Sequence, residues 1–345
     1  APALSMGGME RASANTANGL QEQGCEVVFL SLFKKEHFFT LNKEIKVIEP
    51  RNFNLASLSI NKSISWIRSE VKKSKPDSVL VFNKLYGAIT ALAIKGLGIP
   101  FFLSERSSPL FQWKIQFRII NKLCYMINPP RGVIAQTEIA ARYQRKYFKK
   151  SKVKVIPNSV REVQLYPEIK REKVILAVGR LNDHLKGFDL LLESFALLKN
   201  KDWELHIAGG DENGGALKKQ AKRLEIYNRI KFLGQVKDID RCYAYAGMFV
   251  IPSRSEGFPN ALVEAMAAEC CCIAFDFVAG PRDIITNHKN GVIVPLSNTK
   301  QLASTLDDLI LNDSKRKKLG NKALKIKSKL NQAVIIQKIK EFIIQ

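Results

Sequence analysis

The sequence predicts an α/β protein built from two doubly wound parallel-sheet domains, and three observations predict it. Short β-branched runs alternate with longer helical patterns; the alternation stops at a polar stretch, REVQLYPEIKREK (161–173), and restarts after it; and 345 residues exceed what one hydrophobic core usually supports. Parallel strands joined by helical crossovers open their ligand crevice at the strand carboxyl ends, so two such arrays imply two crevices facing across a cleft.

In the first array CEVVFLSL (25–32), IKVIEP (45–50), DSVLVFN (77–83), PFFLSE (100–105), RGVIAQ (131–136) and VKVIPN (153–158) read as strands, with helices near 9–23, 57–74, 87–96, 112–127 and 137–148. VILAVGR, ELHIAGG, IKFLG, MFVIPS, CCIAF and GVIVP continue the pattern beyond the polar stretch. The expected division is a first domain over 1–160, a linker over 161–173, a second domain over 174–330, and a final helix over 331–345 that crosses back to the first. No repeat period of 20–50 residues and no low-complexity tract interrupts this order.

Composition narrows the class. A hydrophobic content of 46% is ample for two cores, and no apolar run approaches the ~20 residues that cross a bilayer. No signal peptide is visible, and Ala1 in place of Met suggests a trimmed start. Of six cysteines three stand in a row, Cys270, Cys271 and Cys272, a spacing that fits neither a disulfide framework nor a zinc site, so buried reduced thiols in the cytoplasm are expected. The formal net charge is +23; residues 1–160 hold 25 Lys/Arg against 10 Asp/Glu, a net of +15, which leaves +8 for the rest. The densest part, RYQRKYFKKSKVK (142–154), has seven basic residues and no acidic one. Such a surface attracts nucleic acid, anionic lipid or phosphorylated substrates, and charge alone does not choose among them.

The stretch SRSEGFPNALVEAMA (253–267) sets Glu256 on a loop and Glu264 inside a helix that begins near Phe258 or Pro259, where proline's missing N–H costs nothing. The free amides of the first turn lie between the two carboxylates and suit a phosphate, while the carboxylates suit hydroxyls, together matching a sugar nucleotide. The bland reading makes Glu256 a dipole partner and Glu264 a solvated residue.

Four motifs stand in order: MGGMERASANTANGLQEQGCEVVFLSL (6–32), VIPNSV (155–160), VGRLNDHLKGFDLLLESFA (178–196) and the E-x7-E of SRSEGFPNALVEAMA. With these the chain resembles a family 4 retaining glycosyltransferase of the GT-B fold, of the kind that builds bacterial polysaccharides or lipid-linked oligosaccharides. The resemblance implies transfer of a hexose or N-acetylhexosamine from a nucleotide sugar, most commonly UDP-linked, to a sugar hydroxyl, with no metal or other cofactor. It implies that Arg180 and Lys186 contact the donor diphosphate, that Glu256 reads sugar hydroxyls and that Glu264 accepts from the ribose. Amides around Gly257, Phe258, Asn260, Ala261 and Leu262 would approach the diphosphate or sugar, and Gly7 and Gly8 would bring the first-domain backbone close to the reacting centre. In similar chains a strand precedes the Gly-Gly loop; APALSM barely holds its end, so a truncated first strand is expected.

Departures from the family pattern matter too. Where many relatives carry a histidine, this chain reads LSERSSP with Glu105 and Arg106; Glu105 reads as a strand-end cap, and no general base is assigned. Asp238 and Asp240 form a D-x-D before a helix, where aspartates cap, and no metal is assigned to them. In FQWKIQFRIINKLCYMIN (111–128) Lys114, Arg118 and Lys122 form a cationic stripe beside an apolar face of Trp113, Phe117, Ile120 and Ile127. That pattern suits either a helix packed on its sheet or a helix at the inner face of an anionic membrane. The expected acceptor is therefore phosphorylated or lipid-linked, with a soluble sugar phosphate as the second reading. A nucleic-acid-binding protein is the distant third, without helix-turn-helix, zinc or aromatic RNA-binding patterns.

Overall fold

The computed structural model describes residues 1, 3–5, 7–33, 36–50, 60–210 and 215–344. Met6 of the first motif, positions 57–59 of the helix expected over 57–74, and positions 211–214 beyond ELHIAGG lie outside them. The chain folds as two compact units, residues 1–159 with 332–345, and residues 160–331.

The first unit contains α1 (Gly8–Glu22), β1 (Val28–Leu30), β2 (Lys46–Ile48), α2 (Ile60–Ser74), β3 (Val79–Phe82), α3 (Lys84–Ala93), β4 (Phe101–Ser104), α4 (Ile115–Ile127), β5 (Gly132–Ala135), α5 (Glu138–Tyr147) and β6 (Lys152–Val155). Strands β3, β4, β5 and β6 pair in that order, all parallel, and β1 pairs with β2 in a separate parallel ribbon. Ala1 lies beside β1, donating to the Leu30 carbonyl at 3.0 Å and accepting from the Leu32 amide. Helix α3 starts three residues before its expected position at 87, because the Asn83 side chain accepts from the Leu85 amide at 2.9 Å and caps it there.

Helix α4 corrects the expected apolar face. Its buried residues are Asn121, Cys124 and Tyr125, whereas Ile120 and Ile127 are exposed. Tyr125 wins the inward position because its hydroxyl reaches the Lys84 carbonyl at 2.6 Å while its ring packs edge-on to Phe148. Ile115, Ile119, Leu123 and Met126 stand 54–70% exposed, so the outward side of the helix is aliphatic as well as basic.

The second unit contains β7 (Glu172–Val178), α6 (Phe188–Ala196), β8 (Glu204–Ala208), α7 (Gly215–Arg223), β9 (Ile230–Gly234), α8 (Ile239–Tyr245), β10 (Ala246–Ile251), α9 (Asn260–Ala267), β11 (Cys272–Phe275), α10 (Pro281–Ile284), β12 (Val292–Val294), α11 (Thr299–Leu311), α12 (Asp313–Ala323) and α13 (Ile326–Lys329). Strand β7 begins two residues inside the stretch read as linker. The parallel sheet runs β12-β11-β10-β7-β8-β9, so strand order reverses between β7 and β10, and the ligand crevice of such a sheet opens beyond that switch point. Cys270, Cys271 and Cys272 are buried, and burial pushes the Cys271 thiol up to about 12, which keeps it protonated.

The last helix, α14 (Gln332–Ile343), belongs to the first unit. Phe342 packs edge-on to Phe102, Lys340 donates to the Gln23 carbonyl at 2.6 Å, and Ile336 fills the space beside Gly19, where a Cβ would lie 2.5 Å from it.

Candidate active site

Two loops meet beyond the switch point of the second unit. One follows β7 and carries Gly179, Arg180, a single 3₁₀ turn over His184–Lys186, and Gly187; the other follows β10 and carries Pro252 to Glu256. Gly187 holds φ 67° in the left-handed region, and a Cβ on it would sit 2.0 Å from the Pro252 carbonyl oxygen, so only glycine lets the loops touch. Arg254 ties them together: its backbone amide donates to the Leu185 carbonyl at 2.8 Å, and its guanidinium grips the Asp189 carboxylate with two bonds of 2.6 and 2.7 Å. The hydrogen bonds and charge of Arg254 outweigh desolvation and hold the Asp189 carboxyl below its usual range.

The same contact brings Lys186 onto Glu256. The ammonium donates to both carboxylate oxygens at 2.8 and 3.0 Å, Ser253 Oγ donates to Oε1 at 2.8 Å, and the side chains are only 22% and 12% exposed. Arg180 differs: it is 76% exposed and reaches Asp183 at 3.0 Å. Just beyond lies α9, which starts at Asn260, two residues after the earliest start expected, with Pro259 as its N-cap at φ −83° and ψ 73°. The Asn260, Leu262 and Val263 amides turn back on Phe258 and Pro259, while those of Gly257, Phe258 and Ala261 meet no acceptor among the described residues. Phe258 and Leu262 are buried, which anchors the entry to the helix.

Glu264 is not the solvated residue of the bland reading. It is 7% exposed, accepts from the Tyr243 hydroxyl at 3.3 Å, and lies 3.5 Å from the Arg161 guanidinium. Arg161 also grips Asp240, whose carboxylate accepts from the Gln164 amide at 2.9 Å. Burial first, then the Glu264 charge, drives the Tyr243 hydroxyl well above its ordinary pKa, so it remains a donor.

Residues 6–162 match the sequence profile of Glycosyltransferase Family 4, and residues 161–326 that of Glycosyl transferases group 1. An uncharacterized glycosyltransferase of Haemophilus influenzae is 30% identical over 316 residues, covering 89% of this chain and 88% of its own. The chain belongs to glycosyltransferase family 4. A second relative of this glycosyltransferase, from Campylobacter jejuni, is a GalNAc-α-(1→4)-GalNAc-α-(1→3)-diNAcBac-PP-undecaprenol α-1,4-N-acetyl-D-galactosaminyltransferase, 28% identical over 93% of this chain and 90% of its own. The crystal structure of Anabaena HepE in complex with UDP and glucose superposes with a TM-score of 0.83 at 17% identity, covering 99% of this chain and 97% of that one. The fold is GT-B.

Within the glycosyltransferase the expected site residues fall into two groups. Arg180, Lys186, Glu256, Gly257, Phe258, Asn260, Ala261, Leu262 and Glu264 belong to the second unit, and the switch-point loops with α9 hold all of them. Gly7 and Gly8 belong to the first unit, as the N-cap and first residue of α1; a Cβ on Gly8 would meet nothing within 4 Å, and one on Gly7 would meet only the Glu10 carboxylate. Glu105 accepts from the Lys84 and Ser107 amides at 3.0 and 2.8 Å, which makes it a loop brace. Asp238 caps α8 by accepting from the Arg241 amide, but Asp240 does not cap; it faces Arg161 from within the helix. Sequence reasoning missed Ser253, Arg254, Asp189, Arg161 and Tyr243. Ser253 and Arg254 stand just before the first glutamate of E-x7-E, Asp189 lies within the motif over 178–196 and Arg161 directly follows VIPNSV, so position was their one visible signal; Tyr243 has none and meets Glu264 only through the fold.

Proposed function

We propose that this family 4 glycosyltransferase is a retaining enzyme that moves a hexose or N-acetylhexosamine from a UDP-sugar to a hydroxyl of a lipid-linked oligosaccharide, working peripherally at the inner, anionic membrane face. The observation that carries it is the Lys186–Glu256–Ser253 cluster at the switch point beside the α9 amides. An ammonium has three donors and a carboxylate about four acceptor sites, so Lys186 serves phosphate oxygens and Glu256 sugar hydroxyls while the pair persists. Arg180, 76% exposed, exchanges its Asp183 pair for the diphosphate, and the Gly257, Phe258 and Ala261 amides add neutral donors. Glu264 accepts a ribose hydroxyl beside its bonds to Tyr243 and Arg161.

In the transfer, the bond from the anomeric carbon to the diphosphate oxygen breaks as the acceptor oxygen bonds to the same face. The departing phosphate oxygen takes the acceptor's proton, so no separate base is assigned. Arg180 and Lys186 neutralise the charge that develops on the leaving group, a role that calls for no metal ion. Gly7, the N-cap of α1, and Gly8, its first residue, present backbone without a side chain to the substrates.

The lipid-linked acceptor is favoured over a soluble sugar phosphate by the outward face of α4, aliphatic at Ile115, Ile119, Leu123 and Met126 and flanked by Lys114, Arg118 and Lys122. The Campylobacter relative carries an undecaprenol diphosphate in its name, and the net charge of +15 over residues 1–160 suits an anionic surface. No helix among the described residues is long and apolar enough to cross a membrane. The test is turnover of Arg180→Ala and Lys186→Ala: each is expected to lower kcat by about 10²–10³ with folding intact, by analogy with loss of one preorganised donor. Near-normal kcat in both variants overturns the reading.

A further inference from the structure

The loops at the carboxyl edge of β3 to β6 converge on a second polar cluster, in the first unit. Arg106 donates from Nε to Ser104 Oγ at 2.8 Å and from its fork to Asn158 Oδ1, and its guanidinium lies over the Phe82 ring at 5.4 Å. Asn158 Oδ1 also accepts from Gln136 at 2.7 Å, and Gln136 is only 4% exposed. Every one of these partners is neutral. No carboxylate lies within 4.0 Å of the guanidinium among the described residues; the oxygens of neighbouring Glu105 accept from the Lys84 and Ser107 amides instead.

A charge set among neutral partners is held at a cost, which an anionic ligand would offset. Burial pulls the Arg106 pKa down to about 10 against the raising charge of Glu105, so the group is desolvated yet charged at neutral pH. Its remaining N–H groups meet no acceptor among the described residues. A second, independent sign stands on the same edge: Asn83, which closes β3, holds φ 78° and ψ 142°, a conformation nearly reserved for glycine. Strain of this kind gathers where loops are shaped for ligands.

We propose that Arg106, framed by Ser104, Gln136 and Asn158, is an oxyanion site of the first unit that takes a phosphoryl group of the acceptor. The proposal rests on the acceptor reading above for the source of that group. The planar fork of arginine matches phosphate with paired hydrogen bonds, and the surplus of positive charge over residues 1–160 concentrates such anions near it.

Titration calorimetry of the full chain with inorganic pyrophosphate tests it, comparing wild type, Arg106→Gln, Arg106→Lys and the Arg180→Ala/Lys186→Ala double variant, with circular dichroism to verify folding. Arg106→Gln is expected to weaken one pyrophosphate site about tenfold or more, Arg106→Lys to weaken it less, and the double variant to retain it. Without pyrophosphate, Arg106→Gln is expected to melt no lower than wild type, since the cation it removes has no carboxylate at ion-pair distance among the described residues. Equal pyrophosphate affinity in wild type and in both Arg106 variants overturns the proposal. So does the reverse pattern, in which Arg106→Gln releases the chain from phosphatidylglycerol vesicles and leaves pyrophosphate binding intact, because the site then reads lipid headgroups. The donor reading fails separately, if the double variant keeps wild-type affinity for UDP.

Discussion

Glu256 and Glu264 each face a cation from a largely buried position, one on the loop before α9 and one within that helix, and their variants should separate. Glu256 shares its charge with Lys186 beside the proposed breaking bond, so Glu256→Gln is expected to lower kcat while leaving UDP affinity nearly intact. Glu264 is buried among Tyr243 and Arg161, so Glu264→Gln is expected to weaken UDP binding about tenfold, in line with the ~1.5–3 kcal/mol of a charge-assisted hydrogen bond. Glu264→Ala adds a stability cost of about 1–3 kcal/mol, because it strands the Tyr243 hydroxyl in the core. Turnover assays read the first effect, and calorimetry of UDP binding set beside denaturant melts reads the other two; equal loss of UDP affinity in both Gln variants refutes the division. Sequence spacing marked both glutamates as candidate site residues. It was silent on Lys186 meeting Glu256, since that contact joins positions 70 residues apart.

At the scale of elements, the site depends on a left-handed glycine and the surface on a two-sided helix. Gly187→Ala drives a Cβ against the Pro252 carbonyl in a strained backbone region, so a loss of about 1–3 kcal/mol in urea melts is expected, with reduced turnover as Lys186 shifts. Helix α4 bears on the membrane reading. Reversing Lys114, Arg118 and Lys122 to Glu is expected to release the protein from anionic vesicles, each charge near the surface being worth ~1 kcal/mol. Replacing Ile119 and Leu123 by Asp should do so as well, because both stand 54% exposed on the aliphatic side. Sedimentation with neutral and anionic vesicles measures this, and equal binding to both at low salt sinks the idea. The helix itself was legible from its periodicity, but its inward face was not: Tyr125 took the inward position through contacts with Lys84 and Phe148, leaving Ile120 and Ile127 exposed.

For the whole molecule, the charge of +23 and the two-unit architecture make distinct predictions. Vesicle binding should weaken steeply with salt, since the Debye length falls from ~30 Å at 0.01 M to ~8 Å at 0.15 M. A screen of sugar nucleotides by thermal melting should single out one base, because a ligand at 100 times its Kd adds ~2.7 kcal/mol to the state that binds it. No stabilisation by any UDP-sugar would falsify the donor assignment while leaving the fold untouched.

Periodicity and composition by themselves determined that this chain alternates strand and helix in two arrays, because alternation of β-branched runs with 3.6-period segments is a local property. Motif order determined the family, since glycines, prolines and charged residues at loop ends are placed by backbone geometry that leaves its mark in neighbouring positions. The tertiary structure alone decided the strand order that puts the switch point between β7 and β10 and the pairing of Lys186 with Glu256. It alone decided, too, that Arg106 stands among neutral partners. Those features arise from contacts between residues far apart in the chain, where burial, hydrogen bonding and charge are settled by packing rather than by spacing.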